Sequence, residues 1–206
     1  DFDGKEMHVF HELEVVDDDS DTFDETLVYS YNGEPTPYTP FQEIYLDFLP
    51  NDTYLTPGVW TIRLTPQKIR NGRWDMWMPS AAIRNEATAF LLPTPETTLT
   101  IPSTASRAIT VGAYDSFQNP IASFSGRGFT WNNQFIKPDL VAPGVEITSL
   151  SNSKSFYTKM TGSSVSAPFV AGASALLLQQ NKMLTPNQVK SLLMTSTIKL
   201  PFGVND

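Results

Sequence analysis

The sequence predicts an α/β fold for residues 98–206, preceded by a β-sandwich or jelly roll over residues 1–97. Short strands, many prolines and the lack of a helical period mark the first part and are typical of a β-sandwich. From residue 98 onwards, strand patterns are followed by helical ones, which indicates an α/β layer. The 206 residues suffice for two such domains, and a hydrophobic content of 40% supports a packed core.

The charge and composition of the chain argue against several classes of partner. A formal net charge of -8 disfavours nucleic acid and anionic membrane surfaces, because both need clustered Lys and Arg. Residues 1–52 hold 15 of the 22 Asp and Glu and only one base, Lys5. The lack of cysteine excludes disulfides and thiol chemistry. No apolar run approaches the roughly 18 to 20 residues that a membrane-spanning helix needs.

The first part contains three strand signals. Residues 43–49 predict a short strand, and the Pro57-Gly58 turn leads into a second strand over residues 59–64, which is rich in aromatic and β-branched residues. Asn71-Gly72 is the commonest two-residue hairpin signal, so we expect a further strand over residues 73–78. Together these signals favour an antiparallel β domain.

Two features of the first part suggest binding, and for each a structural interpretation is preferred. Trp60, Trp74 and Trp77 could line a sugar or peptide groove, but alternating aromatic residues in strands more often belong to a core. The acidic run at residues 17–21 suggests Ca²⁺, but Thr22 replaces the glycine of an EF-hand loop and Val28 its bidentate acid. We therefore predict a solvated acidic loop, with no cofactor and no metal ligand. The sequence leaves room for a structural calcium ion but does not support one.

The second part begins with a buried-strand pattern over residues 99–111, which ends in Gly112-Ala113. A loop-rich stretch and a short strand between prolines, within residues 137–147, follow. We predict two helices at the end, over residues 164–180 and 186–195. The second is amphipathic, with Thr185 as its N-cap.

Residues 161–172 contain the strongest chemical signal. A glycine and small hydroxyl residues lead into an Ala/Leu helix, with Ser164 in its first turn. Free backbone N–H groups and the positive end of the helix dipole meet at that turn, where they could stabilise an oxyanion formed by a serine nucleophile. Considered alone, Ser164 would more often be a helix cap.

The same residues resemble the serine motif of subtilisin-like proteases, Gly-Thr/Ser-Ser-x-Ala/Ser-x-Pro-x-Val-Ala-Gly. Phe169 stands where most members have histidine, and Thr161 where asparagine is common. Residues 108–113, 122–125 and 137–144 resemble further family segments in the family's order. The resemblance implies the C-terminal portion of a three-layer catalytic domain over residues 98–206. It also implies that Ser164 is the nucleophile and a backbone oxyanion donor, and that substrate-binding positions lie at Thr100, Gly162 and Ser163.

Residues 57–64, 71–77 and 98–102 resemble the jelly-roll insertion of Csp-type subtilases, known from spore-germination proteases, and the segment after it. This resemblance implies that residues 1–97 are most of that insertion, whose first strands are missing. It also implies a bacterial protein with an extracellular or spore-associated location.

The triad of subtilisins runs Asp, His, Ser along the chain, and the expected Asp and His motifs are absent. His8 and His11 lack the motif neighbours, and the chain has neither an initiator Met nor a signal peptide, so we expect a fragment of a longer precursor. The fragment alone should be inactive, because Ser164 has no base. The resemblance implies a parent serine endopeptidase whose partners are a protein or peptide substrate and the missing N-terminal part, with no membrane insertion.

Other interpretations fit the residues less well. An α/β-hydrolase needs Gly-x-Ser-x-Gly, but residues 162–166 end in serine. The Ser-x-x-Lys of penicillin-recognising enzymes occurs at 151–154 and 196–199, in each case outside a helix start. The alternative that remains is a pseudoprotease, acting as a regulatory or binding module of a spore-germination-type subtilase.

Overall fold

The computed structural model forms two compact units, Asp1–Met76 and Trp77–Asp206, and each is described by itself. The structure describes residues 8–17, 26–36, 41–50, 53–55, 57–69, 72–79, 84–85, 87–130, 135–152 and 156–200. The sequence predicts the domain boundary at residue 97, whereas residues 77–97 belong to the second compact unit of the structure. One reason is a hydrogen bond of 2.9 Å from the Trp77 indole Nε1 to the Thr97 carbonyl.

The first unit contains two antiparallel strand pairs. Strand β1 (His8–Asp17) pairs with β4 (Trp60–Ile69), and β2 (Thr26–Gly33) pairs with β3 (Glu43–Pro50). The strands predicted over residues 43–49 and 59–64 are therefore confirmed as β3 and β4. Phe48 of β3 meets Trp60 of β4 edge to face, with ring centroids 5.4 Å apart, and this contact joins the two pairs.

The described residues of this unit hold four strands, whereas a complete jelly roll has about eight. The strand predicted over residues 73–78 is wrong, because these residues carry no strand. The core interpretation is also wrong for two of the tryptophans, since Trp74 is 61% exposed and Trp77 56% exposed. Of the acidic run, Asp17 ends β1, and residues 18–21 lie outside the described residues.

The second unit is built around two parallel strands covered by a helix. Strand β5 (Val111–Tyr114) pairs with a strand at Leu140–Pro143, in parallel and with Ala113 opposite Ala142. Both alanines are buried, and the helix Ser163–Gln180 packs against both strands. The buried strand expected over residues 99–111 is shorter and later than predicted, because residues 101–104 form a turn.

Two further strand pairs and the two helices complete the order of elements. Strands β6 (Gly128–Phe129) and β7 (Ile136–Lys137) pair antiparallel, and Leu140–Pro143 follows as β8. Strands β9 (Ile147–Leu150) and β10 (Tyr157–Met160) form an antiparallel hairpin that leads directly to the Ser164 segment. The helices are α1 (Ser163–Gln180) and α2 (Pro186–Thr195), which confirms both helix predictions.

Helix α1 is apolar on both sides, but only one side is covered. Ser166 and Val170 face the strands and are buried. On the other side Phe169 is 48% exposed and Leu176 is 67% exposed within this chain. No helix in the described part of the chain is long and apolar enough to cross a membrane.

Helix α2 begins with a capping box, as its sequence predicts. The Thr185 hydroxyl accepts from the Gln188 N–H, and the Thr185 N–H donates to Gln188 Oε1 at 2.8 Å. Pro186 occupies the first turn, where its missing N–H costs nothing, and Val189 is buried.

Replacing Thr185 with alanine is expected to lower the free energy of unfolding by about 1 kcal/mol, the usual cost of losing an N-cap side chain. Chemical denaturation of the variant measures this change. Thr185→Ser keeps the cap hydroxyl and should restore most of the loss. Equal losses in both variants would contradict the capping role.

Candidate active site

Ser164 is the second residue of α1, and it is exposed. The N-cap is Gly162, which has no side chain, so the first N–H groups of the helix have no side-chain cap. The backbone angles of Gly162, φ 153° and ψ 159°, are adopted almost only by glycine. The serine therefore lies where uncapped N–H donors and the positive end of the helix dipole coincide.

The end of β8 fixes the entrance of α1. The Gly162 N–H donates to the Gly144 carbonyl at 2.8 Å, and the buried Ser166 hydroxyl donates to the Pro143 carbonyl at 3.1 Å. The Gly144 N–H in turn donates to the Tyr114 carbonyl of β5 at 3.0 Å. Thus the carboxyl ends of both parallel strands hold the turn that presents Ser164, the usual place for a site in an α/β sheet.

Close packing makes the absence of a side chain at Gly144 necessary. A Cβ at this position would lie 2.7 Å from Ala113 Cβ and 3.1 Å from the Gly162 carbonyl, and would also clash with the Ser166 hydroxyl. The contacts with Ala113 and Ser166 belong to the core between α1 and the strands. A methyl group here would push the helix entrance away from β8.

Replacing Gly144 with alanine is expected to cost about 2 to 3 kcal/mol of unfolding free energy, at the upper end for overpacking. The midpoint of chemical unfolding measures the loss. Gly72→Ala is the matched control, because no atom lies within 4 Å of a Cβ there, and it should change stability by less than about 0.5 kcal/mol. A Gly144→Ala variant as stable as this control would contradict the packing argument.

Pro168 lies inside α1, four residues after Ser164. Proline has no N–H, so residue 168 cannot donate the usual helical hydrogen bond to the Ser164 carbonyl. The contacts of Gly162 and Ser166 with the end of β8 provide further hydrogen bonds at this turn.

The predicted site residues are only partly brought together. Gly162, Ser163 and Ser164 adjoin at the start of α1. Thr100 lies in the loop before β5, is exposed, and accepts a hydrogen bond from the Ser103 N–H at 2.8 Å. The Ser103 hydroxyl also contacts the Thr100 carbonyl. The roles of Thr100, Gly162 and Ser163 in substrate binding stay predictions.

A buried group of charges near this loop was not predicted. We call it the ion cluster: Lys137, Asp139 and Lys190. Asp139 Oδ2 accepts from Lys137 Nζ at 2.8 Å, and Asp139 Oδ1 accepts from Lys190 Nζ at 2.8 Å. Lys137 is only 2% exposed. The run Lys137-Pro138-Asp139 before β8 was the available signal for this cluster. It does not indicate the third member, Lys190, which lies on α2.

The ion cluster perturbs two ionisable groups. Burial by itself would raise the pKa of Asp139, but hydrogen bonds from Lys137, Lys190 and the Thr110 N–H together hold the pKa below its ordinary value. Burial lowers the pKa of Lys137, and the neighbouring Lys190 ammonium lowers it further, against the opposing influence of the Asp139 carboxylate. The carboxylate is therefore strongly favoured in its charged form.

Neither a base for Ser164 nor a metal centre stands out in the described part of the chain. The two histidines, His8 and His11, lie on β1 of the other unit, and their strand conformation rules out the helical pairing that their spacing allowed. No group of three His, Cys, Asp or Glu side chains among the described residues could hold a metal ion.

An exposed serine at the start of a helix, set against the carboxyl ends of parallel strands, is an arrangement that a serine hydrolase can use. Comparison with known proteins makes this more specific, because the model of the subtilase family, peptidase S8, matches residues 85–205. This match covers more than half of the chain, and the chain belongs to the subtilase family.

Individual relatives agree with this assignment. Serine protease AprX of Bacillus subtilis is 40% identical over 50% of this chain, and the subtilisin-like protease PopC of Myxococcus xanthus is 33% identical over 50%. The structure of the Clostridium perfringens CspB protease matches 88% of this chain with a TM-score of 0.73 and 30% identity. This chain spans only 27% of AprX, 22% of PopC and 39% of CspB.

Proposed function

We propose that this chain carries the nucleophile of a serine endopeptidase that acts on proteins or peptides. The observation that supports the proposal most is the placement of Ser164, exposed in the first turn of α1 and held there by the end of β8. Its backbone N–H is suitably placed to donate to an oxyanion, because no side chain caps this end of the helix.

The proposed reaction follows acyl-enzyme chemistry. A histidine takes the Ser164 proton as the oxygen attacks the substrate carbonyl, and then gives that proton to the leaving amine. An aspartate orients the histidine. We assign both groups to a part of the protein outside residues 1–206, because their family motifs are absent from this sequence. By this proposal residues 1–206 alone are inactive, since an unassisted serine hydroxyl is a weak nucleophile.

We further propose that the first unit belongs to a jelly-roll insertion of the Csp type. Support comes from the similarity to CspB, which covers 88% of this chain and so includes residues ahead of the segment 85–205. The two antiparallel strand pairs of this unit suit a β-sandwich. An extracellular or spore-associated bacterial location stays a prediction.

The alternative is a pseudoprotease that regulates or binds without cleaving. Ser164 and the helix start at Gly162, where no side chain caps the N–H groups, favour the enzyme. Binding alone would not need an exposed nucleophile beside such donors.

A fluorophosphonate probe distinguishes the two functions in the full-length protein. An active serine peptidase should form a covalent adduct, and mass spectrometry of the digested protein should place it on Ser164. Denatured protein is the control and should not react. An adduct on another serine would contradict the assignment of the nucleophile, and no adduct at all would favour the pseudoprotease.

A further inference from the structure

The ion cluster ties the loop before β5 to α2. Lys190 of α2 donates through Nζ to the carbonyls of Ser106 at 3.0 Å and Ala108 at 2.9 Å. Lys137 Nζ donates to the same Ala108 carbonyl at 3.0 Å. Both ammonium groups also contact the Asp139 carboxylate, so the charges and the loop carbonyls form one bonded group.

The charge balance of the ion cluster explains the role of the Ser106 and Ala108 carbonyls. Two ammonium groups share one carboxylate in a largely buried place, which leaves an excess of positive charge. Such an excess is costly away from water unless other dipoles offset it. The carbonyls of Ser106 and Ala108 supply those dipoles, and this couples the loop conformation to Lys190.

A chain of hydrogen bonds continues from the cluster to Thr100. The Thr110 N–H donates to Asp139 Oδ2 at 2.7 Å, and the Thr110 hydroxyl donates to the Ser103 carbonyl at 2.6 Å. The Ser103 N–H then donates to the Thr100 carbonyl at 2.8 Å. The backbone at Thr100 is thus connected to Asp139 by consecutive bonds.

The position of the nucleophile depends on β8 and not on the Lys190 side chain. Asp139 immediately precedes β8, and its N–H donates to the Thr110 carbonyl at 2.9 Å. The other end of β8 holds Gly162 and Ser166 at the entrance of α1. Because none of these bonds involves Lys190, we expect α1 to stay in place when Lys190 is replaced.

We propose that Lys190 is a positioning residue that acts through Ala108 and Asp139 to hold the loop 100–108 for substrate binding. The proposal rests on the proposed peptidase function and on the predicted role of Thr100 in substrate binding. It assigns Lys190 no contact with substrate: its effect is on how well a peptide binds, while the nucleophile and its helix stay in place.

The test compares Lys190→Met with Lys190→Arg in the full-length protein. In Lys190→Met we expect the amides of residues 100–110 to exchange hydrogen about tenfold faster, and those of α1 to be unchanged, because hydrogen bonds from a charged donor are lost. The KM for peptide substrates should rise about tenfold while kcat changes less than about twofold. Lys190→Arg keeps the charge and the donors and should restore both quantities in large part.

Lys182→Met is the matched control, because this lysine is exposed between the helices and should change neither quantity. Unchanged exchange in residues 100–110 of Lys190→Met would overturn the proposal. Faster exchange with an unchanged KM would overturn it as well and leave Lys190 with a structural role alone. If the wild-type protein hydrolyses no peptide, the proposed function fails, while hydrogen exchange still decides whether Lys190 holds the loop.

Discussion

Replacing Ser164 with alanine in the full-length protein is expected, under the proposed peptidase mechanism, to lower kcat for peptide hydrolysis by about a millionfold, because a triad without its nucleophile retains only binding and oxyanion stabilisation. KM should change little, since the side chain lost is small and exposed. Steady-state hydrolysis of a peptide substrate measures both constants. The unfolding free energy should stay within about 0.5 kcal/mol of wild type, as for other exposed positions.

Ser174→Ala provides the control on the same helix. The Ser174 hydroxyl donates to the Val170 carbonyl at 2.7 Å, within α1 and away from its entrance. Its removal should leave kcat nearly unchanged. A Ser164→Ala enzyme that still hydrolyses peptides at the wild-type rate would show that another residue is the nucleophile.

Replacing Asp139 with alanine is expected to destabilise the protein by about 3 to 5 kcal/mol, because it leaves buried ammonium charge without its anionic partner. Chemical denaturation followed by intrinsic fluorescence measures the loss. Lys159→Ala is the control: Lys159 pairs with Glu146 at 3.0 Å, but both side chains are more than half exposed. Breaking such a surface pair should cost at most about 1 kcal/mol. Equal losses in the two variants would contradict the special role of the ion cluster.

The same carboxylate predicts how stability depends on pH. The folded state lowers the pKa of Asp139, so this group contributes stability above its unfolded pKa, near 4. That contribution is lost as the pH falls below about 4 and through the folded pKa. Asp139→Asn should therefore lose stability less steeply than wild type below about pH 4. Identical acid profiles of the two proteins would show that Asp139 does not titrate in this way.

Local signals allowed the helices to be predicted from the sequence. The capping residues Thr185 and Pro186 marked the start of α2, and the motif around Ser164 marked that of α1. Both signals act over a few residues and need no distant partner. The strands β3 and β4 were predicted for the same reason, from aromatic and β-branched residues within one segment.

Features that depend on distant residues were missed or misjudged. Asn71-Gly72 suggested a hairpin, but a second strand forms only if a partner with matching register is available, and residues 73–78 pair with none in the described structure. The ion cluster joins Lys137 and Asp139 to Lys190, which is far along the chain, and no local pattern shows that contact. The β9–β10 hairpin was also missed, because its short strands are exposed and lack a clear alternation.

The uncovered apolar side of α1 has a practical consequence for work on this chain. Side chains such as Phe169 and Leu176 would meet water if residues 1–206 were produced alone, and exposed apolar surface promotes self-association. We therefore expect low solubility, and not a failure of the helix to form, to limit experiments on the isolated polypeptide. Mild detergent or low protein concentration should improve recovery more than lower temperature does.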